Sequence, residues 1–246
     1  MPEPALVWVL LPTYNEADNV GRLVGEILER LPEARRVLII DDNSPDGTGE
    51  IADRLASEHE DVEVLHRERK EGLGPAYIAG FRRALSGGAT RIIEMDADFS
   101  HDPAYLPQLL RTVETGADLA IGSRYIPGGG VTEWGKVRRF ISKGGSAYAR
   151  IILGVDVRDL TGGFKCFRRE VLEAIDFDTV TARGYAFQVE MTYRAIKAGF
   201  EVVEVPIVFR DRRDGTSKMS RAIVAEAIWR VPAMRLRRRF SRPASS

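Results

Sequence analysis

Two aspartates separated by one alanine, Asp96 and Asp98, close a short apolar run in Thr90 to Pro103, TRIIEMDADFSHDP. In extended backbone successive side chains alternate faces, so carboxylates at i and i+2 point the same way. Such a pair can share one hard cation through oxygen ligands and leave coordination positions for a diphosphate. The same letters also suit a helix start, because Asp, Ser and Pro precede the periodic run Leu106, Leu109, Leu110, Val113. A second pair, Asp41 and Asp42, ends the apolar run Val37 to Ile40, ahead of Asn43-Ser44-Pro45-Asp46-Gly47-Thr48. That stretch is turn chemistry, with Asp46-Gly47 its strongest signal. Carboxylates at the ends of two separate buried strands repel unless a cation or ligand donors offset them. A helix cap accounts for one pair; the two together point to a cleft that takes a metal and an anion.

Such a cleft needs elements that deliver strand ends to one edge. Ala5 to Leu11 is apolar throughout and stopped by Pro12, which predicts a strand buried on both faces. The loop Pro12-Thr13-Tyr14-Asn15-Glu16 follows, then a helix through Val20, Leu23, Val24, Ile27 and Leu28, with Asp18 as its cap. The unit repeats through Val37 to Ile40, Val62 to Leu65, Ile92 to Met95 and Asp118 to Gly122, with helical spacing in between. This alternation predicts an α/β fold with a doubly wound, mainly parallel sheet, helices on both faces, and ligands at the carboxyl ends of the strands. Gly72-Leu73-Gly74 is neither a P-loop nor a G-x-G-x-x-G motif. It predicts a tight turn into a helix, either facing a ligand with free amides or only packing.

The second half is richer in cations. Ser123-Arg124-Tyr125 is followed by Gly128, Gly129 and Gly130, which predict a mobile connection. Beyond it lies a helix with Lys136, Arg138, Arg139 and Lys143, suited to closing over an anionic substrate or to facing solvent. Asp159 to Phe164 predicts a turn and short strand crossing the cleft. Gly184 to Glu190 opens a helix that ends near Gly199, and Phe200 to Phe209 ends as a strand with Pro206 marking an edge. In DRRDGTSK, Arg212 and Lys218 suit a bent segment presenting two cations to one anion. The last periodic segment starts near Ala222, and Pro232 is expected to kink or end it.

At 246 residues the chain fits one catalytic domain over residues 1–220 with a basic amphipathic helix and tail over 221–246. Formal net charge is zero. From Val205 onward, however, eleven Lys or Arg stand against three Asp or Glu, a surplus of +8 that the rest balances with −8. A basic end suits an anionic surface. Arg235 to Arg239, RLRRR, lacks a base-reading motif or stacking platform, so nucleic acid is not expected. A bilayer attracts each such cation by roughly 1 kcal/mol. The longest apolar run, Ala5 to Leu11, is seven residues, against roughly 20 needed to span a membrane. The single cysteine, Cys166, near Phe164 and Phe167, is expected to be a structural thiol in a reducing compartment. His59, His66 and His101 lack metal-ligand spacing and are expected to be structural or exposed.

Taken in order, LPTYNE (Leu11 to Glu16), IDDNSPDGT (Ile40 to Thr48), GLG (Gly72 to Gly74), MDADFSHDP (Met95 to Pro103), GSRY (Gly122 to Tyr125), DLTGGFK (Asp159 to Lys165), GYAFQVE and DRRDGTSK resemble the dolichol- or polyprenol-phosphate mannosyltransferases. The resemblance runs from Leu11 to about Ser220 and implies an inverting GT-A glycosyltransferase moving mannose from GDP-mannose to a polyprenyl phosphate. It assigns Pro12, Tyr14, Glu16, Ile40 and Asp42 to the nucleotide, and Asp96, Ala97 and Asp98 to donor and metal. Mg²⁺ or Mn²⁺ would lie on Asp96 and Asp98, with Ser100 at the position of a further ligand in some relatives. Arg124, Arg139 and Ser142 fall on acceptor-phosphate contacts, and Arg212 and Lys218 on the donor phosphates, so that Asp98, Arg124, Arg212 and Lys218 carry catalysis. Some relatives continue into transmembrane helices. This chain is therefore expected to be cytoplasmic and peripheral at the cytosolic face of a membrane, through its basic end or a membrane-anchoring partner protein.

Overall fold

The computed structural model describes residues 5–32, 34–132, 135–182, 184–210 and 221–236. Seven strands form one sheet: β1 (Val7–Thr13), β2 (Arg35–Asp41), β3 (Val62–His66), β4 (Arg91–Glu94), β5 (Leu119–Ser123), β7 (Lys165–Arg168) and β8 (Val202–Pro206). Their spatial order is β3-β2-β1-β4-β7-β5-β8. All neighbours run parallel except at β7, which is antiparallel to both β4 and β5. β6 (Gly130–Val131) and β9 (Val208–Phe209) pair as a separate two-stranded ribbon. The helices are α1 (Val20–Arg30), α2 (Thr48–Glu58), α3 (Leu73–Ser86), α4 (Leu106–Glu114), α5 (Lys136–Leu153), α6 (Arg169–Glu173), α7 (Gly184–Lys197) and α8 (Arg221–Leu236).

The unbroken apolar strand runs make sense once both sheet faces are covered. Val7, Val9 and Leu11 of β1 join Val37 and Ile39 of β2 in the layer under α1, α2 and α4. The alternate residues Trp8, Leu10, Leu38 and Ile40 join the opposite layer with Tyr77 and Phe81 of α3 and Phe187 of α7. A one-residue slip of any strand would exchange the two sets, so burial fixes register. Val231 and Met234 of α8 belong to this second layer as well.

Several local expectations change. Asn19, not Asp18, precedes the first turn of α1, and its amide donates to Glu16 Oε2 at 2.9 Å. Pro206 does end the edge strand β8. The three glycines do not form an open connection: Gly130 N donates to Ile207 O at 2.9 Å and Gly129 N to Ile126 O at 3.0 Å. A Cβ on Gly129 would lie 2.4 Å from the Ser123 carbonyl oxygen, so glycine is needed there for close approach. Gly74 is also a packing glycine, since a Cβ there would stand 3.0 Å from Ala182 O and 3.1 Å from Phe187. Pro232 lies inside α8, which continues to Leu236.

Candidate active site

The loops after β1 and β2 are stitched together at the carboxyl edge of the sheet. Thr13 pairs with Asp41 in the β1–β2 register, and its hydroxyl donates to Asp41 Oδ1 at 3.3 Å. Asp41 also accepts from the Ser44 hydroxyl at 2.5 Å and the Ser44 amide at 3.2 Å, so this carboxylate is consumed in shaping its own turn. From the other side, Asn15 N donates to Ser44 Oγ, Glu16 N to Thr48 Oγ1 and Ala17 N to Asp46 Oδ2. Burial opposes charge on Asp46, but donors from Thr48 and Ala17 outweigh it and hold the carboxyl below its usual range. Asp42 is different. Burial pushes its carboxyl up, against the pull of the Arg67 guanidinium 2.5 Å away. Lys70 lies 3.6 Å over the Tyr14 ring, tying the segment after β3 to the loop after β1. Ile40 faces inward: its Cδ1 would be 2.5 Å from a Cβ on Gly80, so only its backbone is turned to the loops.

β4 ends at Glu94, two residues before the first aspartate. Asp96 and Asp98 therefore sit in a loop, and extended-strand alternation is not what aligns them. The loop instead bends in a tight turn in which Phe99 takes φ 59°. There Asp98 Oδ1 accepts from the Ser100 amide at 3.0 Å and the Ser100 hydroxyl at 2.6 Å. Asp96 N donates to His101 Nδ1 at 3.0 Å, and the His101 ring stacks on Phe164 with centroids 4.9 Å apart. The helix-start chemistry belongs to Asp102 instead, whose side chain accepts from Ala104 N. Asp96 and Asp98 are half-buried, and Ser100 and Ala97 buried.

Two carboxylates and a hydroxyl are hard oxygen donors, the set that Mg²⁺ or Mn²⁺ accepts when substrate phosphates and water complete its shell. Among the described residues no group of three or more His, Cys, Asp or Glu side chains gathers as a metal cage. The site thus fits an ion that arrives with a diphosphate better than one held by protein alone.

On the other side of this loop lies a hydrogen-bonded cluster of cations and hydroxyls. Arg124, at the end of β5, donates through Nε and Nη2 to both oxygens of Asp159 at 2.7 Å, and through Nη2 to Thr161 Oγ1 at 2.9 Å. Burial opposes ionisation of Asp159, but Arg124 overrides it and holds the carboxyl below its usual range. Thr161 Oγ1 meets Ser146 Oγ of α5 at 3.1 Å, and the Tyr125 hydroxyl donates to Ser142 Oγ at 2.6 Å. Arg139, one turn before Ser142 on α5, is exposed and donates to Val131 O at 3.2 Å. Phe209 joins the halves: it meets the His101 ring edge-on at 5.5 Å and lies 5.5 Å from the Arg124 guanidinium. Arg210 N donates to Ser100 O at 3.3 Å, the last described contact before Arg212 and Lys218, which lie outside the described residues.

Behind the aspartate loop is a buried polar group with no counterpart among the sequence expectations. Lys165 of β7 stands opposite Glu94 of β4, both fully buried, with Nζ 3.3 Å from Glu94 Oε1. Lys165 also donates to the backbone and side-chain oxygens of Gln188 at 3.0 and 2.5 Å. Burial drives the Glu94 carboxyl up to about 7 despite Lys165, and the same burial lowers Lys165. His101 is a second residue whose role was not expected. Its position three after Asp98 was visible, but a histidine that accepts from backbone has no spacing rule.

A family model, glycosyl transferase family 2, matches residues 8–176. A polyprenol monophosphomannose synthase from Mycolicibacterium smegmatis is 49% identical over 235 residues, 95% of this chain and 88% of that protein. An undecaprenyl-phosphate mannosyltransferase from Micrococcus luteus is 49% identical over 225 residues, 92% of each chain. Among solved structures, glucosyl-3-phosphoglycerate synthase from Mycobacterium tuberculosis in complex with Mn²⁺, UDP and glucosyl-3-phosphoglycerate superposes with TM-score 0.66 at 19% identity, covering 94% of this chain and 79% of that one. The same enzyme with Mg²⁺ and UDP gives 0.67 at 20% identity, over 92% and 79%. These likenesses concern the fold. With the family model spanning most of the sheet and two relatives identical at about half their positions, the chain belongs to glycosyl transferase family 2 and is a glycosyltransferase of the GT-A fold.

Proposed function

We propose that this protein transfers mannose from GDP-mannose to a polyprenyl phosphate with inversion, yielding a β-linked polyprenyl mannosyl phosphate and GDP. The observation that carries this reading is the meeting of two unlike half-sites across Phe209: the aspartate loop on one side, the Arg124–Ser142–Arg139 group on the other. The names of the two relatives support the acceptor and the sugar.

Asp96 and Asp98 would hold Mg²⁺ or Mn²⁺, which when bound offsets charge on the departing diphosphate. Ser100 holds the Asp98 carboxylate, and His101 holds the backbone at Asp96, before substrate arrives. A phosphate monoester has a second pKa of about 6, so the acceptor oxygen is already largely anionic at neutral pH and no protein base is required. That oxygen forms a bond to the anomeric carbon, and the bond from this carbon to the β-phosphate oxygen breaks, its electron pair leaving with GDP. Attack from the face opposite the leaving group inverts the centre.

Arg139 and Ser142 receive the acceptor phosphate. Arg124, its charge balanced by Asp159, holds the Thr161–Ser146 contact that positions α5. Arg212 and Lys218 are assigned to the donor phosphates on sequence grounds. The enzyme works peripherally at the cytosolic face of a membrane, its basic end or an anchoring partner bringing it to the lipid.

Radiolabelled transfer to a polyprenyl phosphate from a panel of nucleotide sugars tests the reading. GDP-mannose is expected to be turned over fastest. Faster turnover of UDP-glucose would reassign the donor, and tight donor binding without transfer would make the protein a nucleotide-sugar binder.

A further inference from the structure

Among the described residues, all five exposed large hydrophobics lie on two helices, α5 and α8: Phe140, Ile141, Ile151, Trp229 and Leu236. On α5, Phe140 and Ile151 are 79% and 71% exposed and eleven positions apart, about three turns, which returns them to one face. Between them on that face are the exposed small residues Gly144 and Ala147. On α8, Trp229 and Leu236 are 81% and 79% exposed at a spacing of seven, with exposed Ala233 between them. Opposite these stripes, Ala149 and Leu153 of α5 and Val231 and Met234 of α8 are buried in the core. Each helix therefore has two apolar sides, and the outer one is unexplained by folding.

The two stripes belong to one surface. α5 and α8 pack against each other, and Arg235 donates to the Ile152 carbonyl, which sets Leu236 beside the turn that carries Ile151. Its two helices are rich in cations. The eighteen residues of α5 include five Lys or Arg and no Asp or Glu, and Leu236 is followed in sequence by Arg237, Arg238 and Arg239. Large apolar side chains flanked by cations on long, flexible stems match the depth profile of an anionic bilayer, with rings and methyl groups among the acyl chains and Lys and Arg at the headgroups. An exposed tryptophan at such a boundary has a place for both its ring and its N–H.

We infer that the outer face of α5 and α8 is a membrane-docking surface, with Phe140, Ile151, Trp229 and Leu236 inserted and the exposed Lys143 on anionic headgroups. This deepens the proposed function, resting on it for purpose only. α5 also carries Arg139 and Ser142, so docking by this helix brings the acceptor contacts to headgroup level. The contact differs from attraction by a basic tail alone in having an apolar component that salt does not screen.

Flotation with phosphatidylglycerol–phosphatidylcholine vesicles, free of polyprenyl phosphate and nucleotide, tests the surface without invoking the reaction. Wild type is expected to float with these vesicles and much less with phosphatidylcholine alone, with a blue shift of tryptophan emission that Trp229→Phe removes. Combined Phe140→Ser, Ile151→Ser, Trp229→Ser and Leu236→Ser is expected to lower binding at least about tenfold while leaving Tm and transfer to a short-chain, water-dispersed polyprenyl phosphate unchanged. Lys143→Glu is expected to weaken binding in a salt-dependent way. Wild type that stays unbound, or a serine variant that floats equally well, overturns the inference. So does a wild-type dimer that the serine variant converts to monomer, since the face would then belong to a second copy. Docking without transfer from any donor would instead sink the proposed reaction and leave the surface standing.

Discussion

Asp98 does two jobs that substitution can separate. Its carboxylate supplies charge, and its Oδ1 accepts both Ser100 hydrogen bonds that shape the loop. Asp98→Asn keeps an acceptor at that atom, so it is expected to retain the wild-type Tm yet lose transfer about 100-fold or more, as for removal of a preorganised charge. Asp98→Ala should lose transfer and loop stability together. Asp159 is the acid-sensitive residue. Its folded value lies below the ordinary 3.8, so it adds stability at pH above that value and loses it as pH falls through its folded value. Asp159→Asn is expected to flatten the acid limb of the stability–pH curve. It also leaves Arg124 buried and half-paired, at a cost of about 3–5 kcal/mol measurable by urea unfolding. Cys166 is fully buried, and burial pushes its thiol up to about 12. It is expected to resist alkylation at pH 8 until the protein unfolds. Arg124 and Asp159 were each legible in their motifs, but across a separation of 35 positions the sequence carries no signal that they are partners.

At the scale of elements, the parallel units β1-α1-β2 and β2-α2-β3 were plain in the sequence because β1 and β2 are built on unbroken apolar runs, β3 is a short apolar stretch broken only by Glu63, and the helices between them keep their period. β7 was misplaced: a short strand was expected within Asp159 to Phe164, where the structure has only a turn and irregular chain, and the strand itself is Lys165–Arg168. Its direction depends on what it meets, Glu94 and Lys165 facing each other across the antiparallel pair. Lys165→Met is expected to cost about 3–5 kcal/mol by stranding Glu94, and Glu94→Leu in the same chain to recover most of it, since a well-packed apolar pair replaces a buried ionic one at little cost. The glycine ribbon misled for a related reason. Three glycines look like freedom until a partner strand is known, and here β9 supplies it. Gly129→Ala is expected to destabilise the ribbon by about 1–3 kcal/mol, because its methyl would meet the Ser123 carbonyl rather than a side chain that can swing away.

For the molecule as a whole, the absence of a protein-only metal cage among the described residues has a thermal signature. EDTA alone is expected to leave Tm unchanged, GDP alone to raise it slightly, and GDP with Mg²⁺ or Mn²⁺ to raise it clearly, each shift following the ligand concentration. A Tm that falls on chelation would argue for a resident structural ion. The sheet order also governs how the molecule comes into being. β5 emerges during synthesis before β7, yet β7 is its only link to β4, while β8 is made later still. A nascent chain can close the four strands β3-β2-β1-β4 on its own, but β5 must wait with both edges open until some 45 more residues have been made. The half that carries the Asp41 and Asp98 loops is therefore assembled first, and the half that carries Arg124 and α5 last. A truncated product ending between β5 and β7 would carry an unpaired apolar strand, the kind of edge on which other chains aggregate.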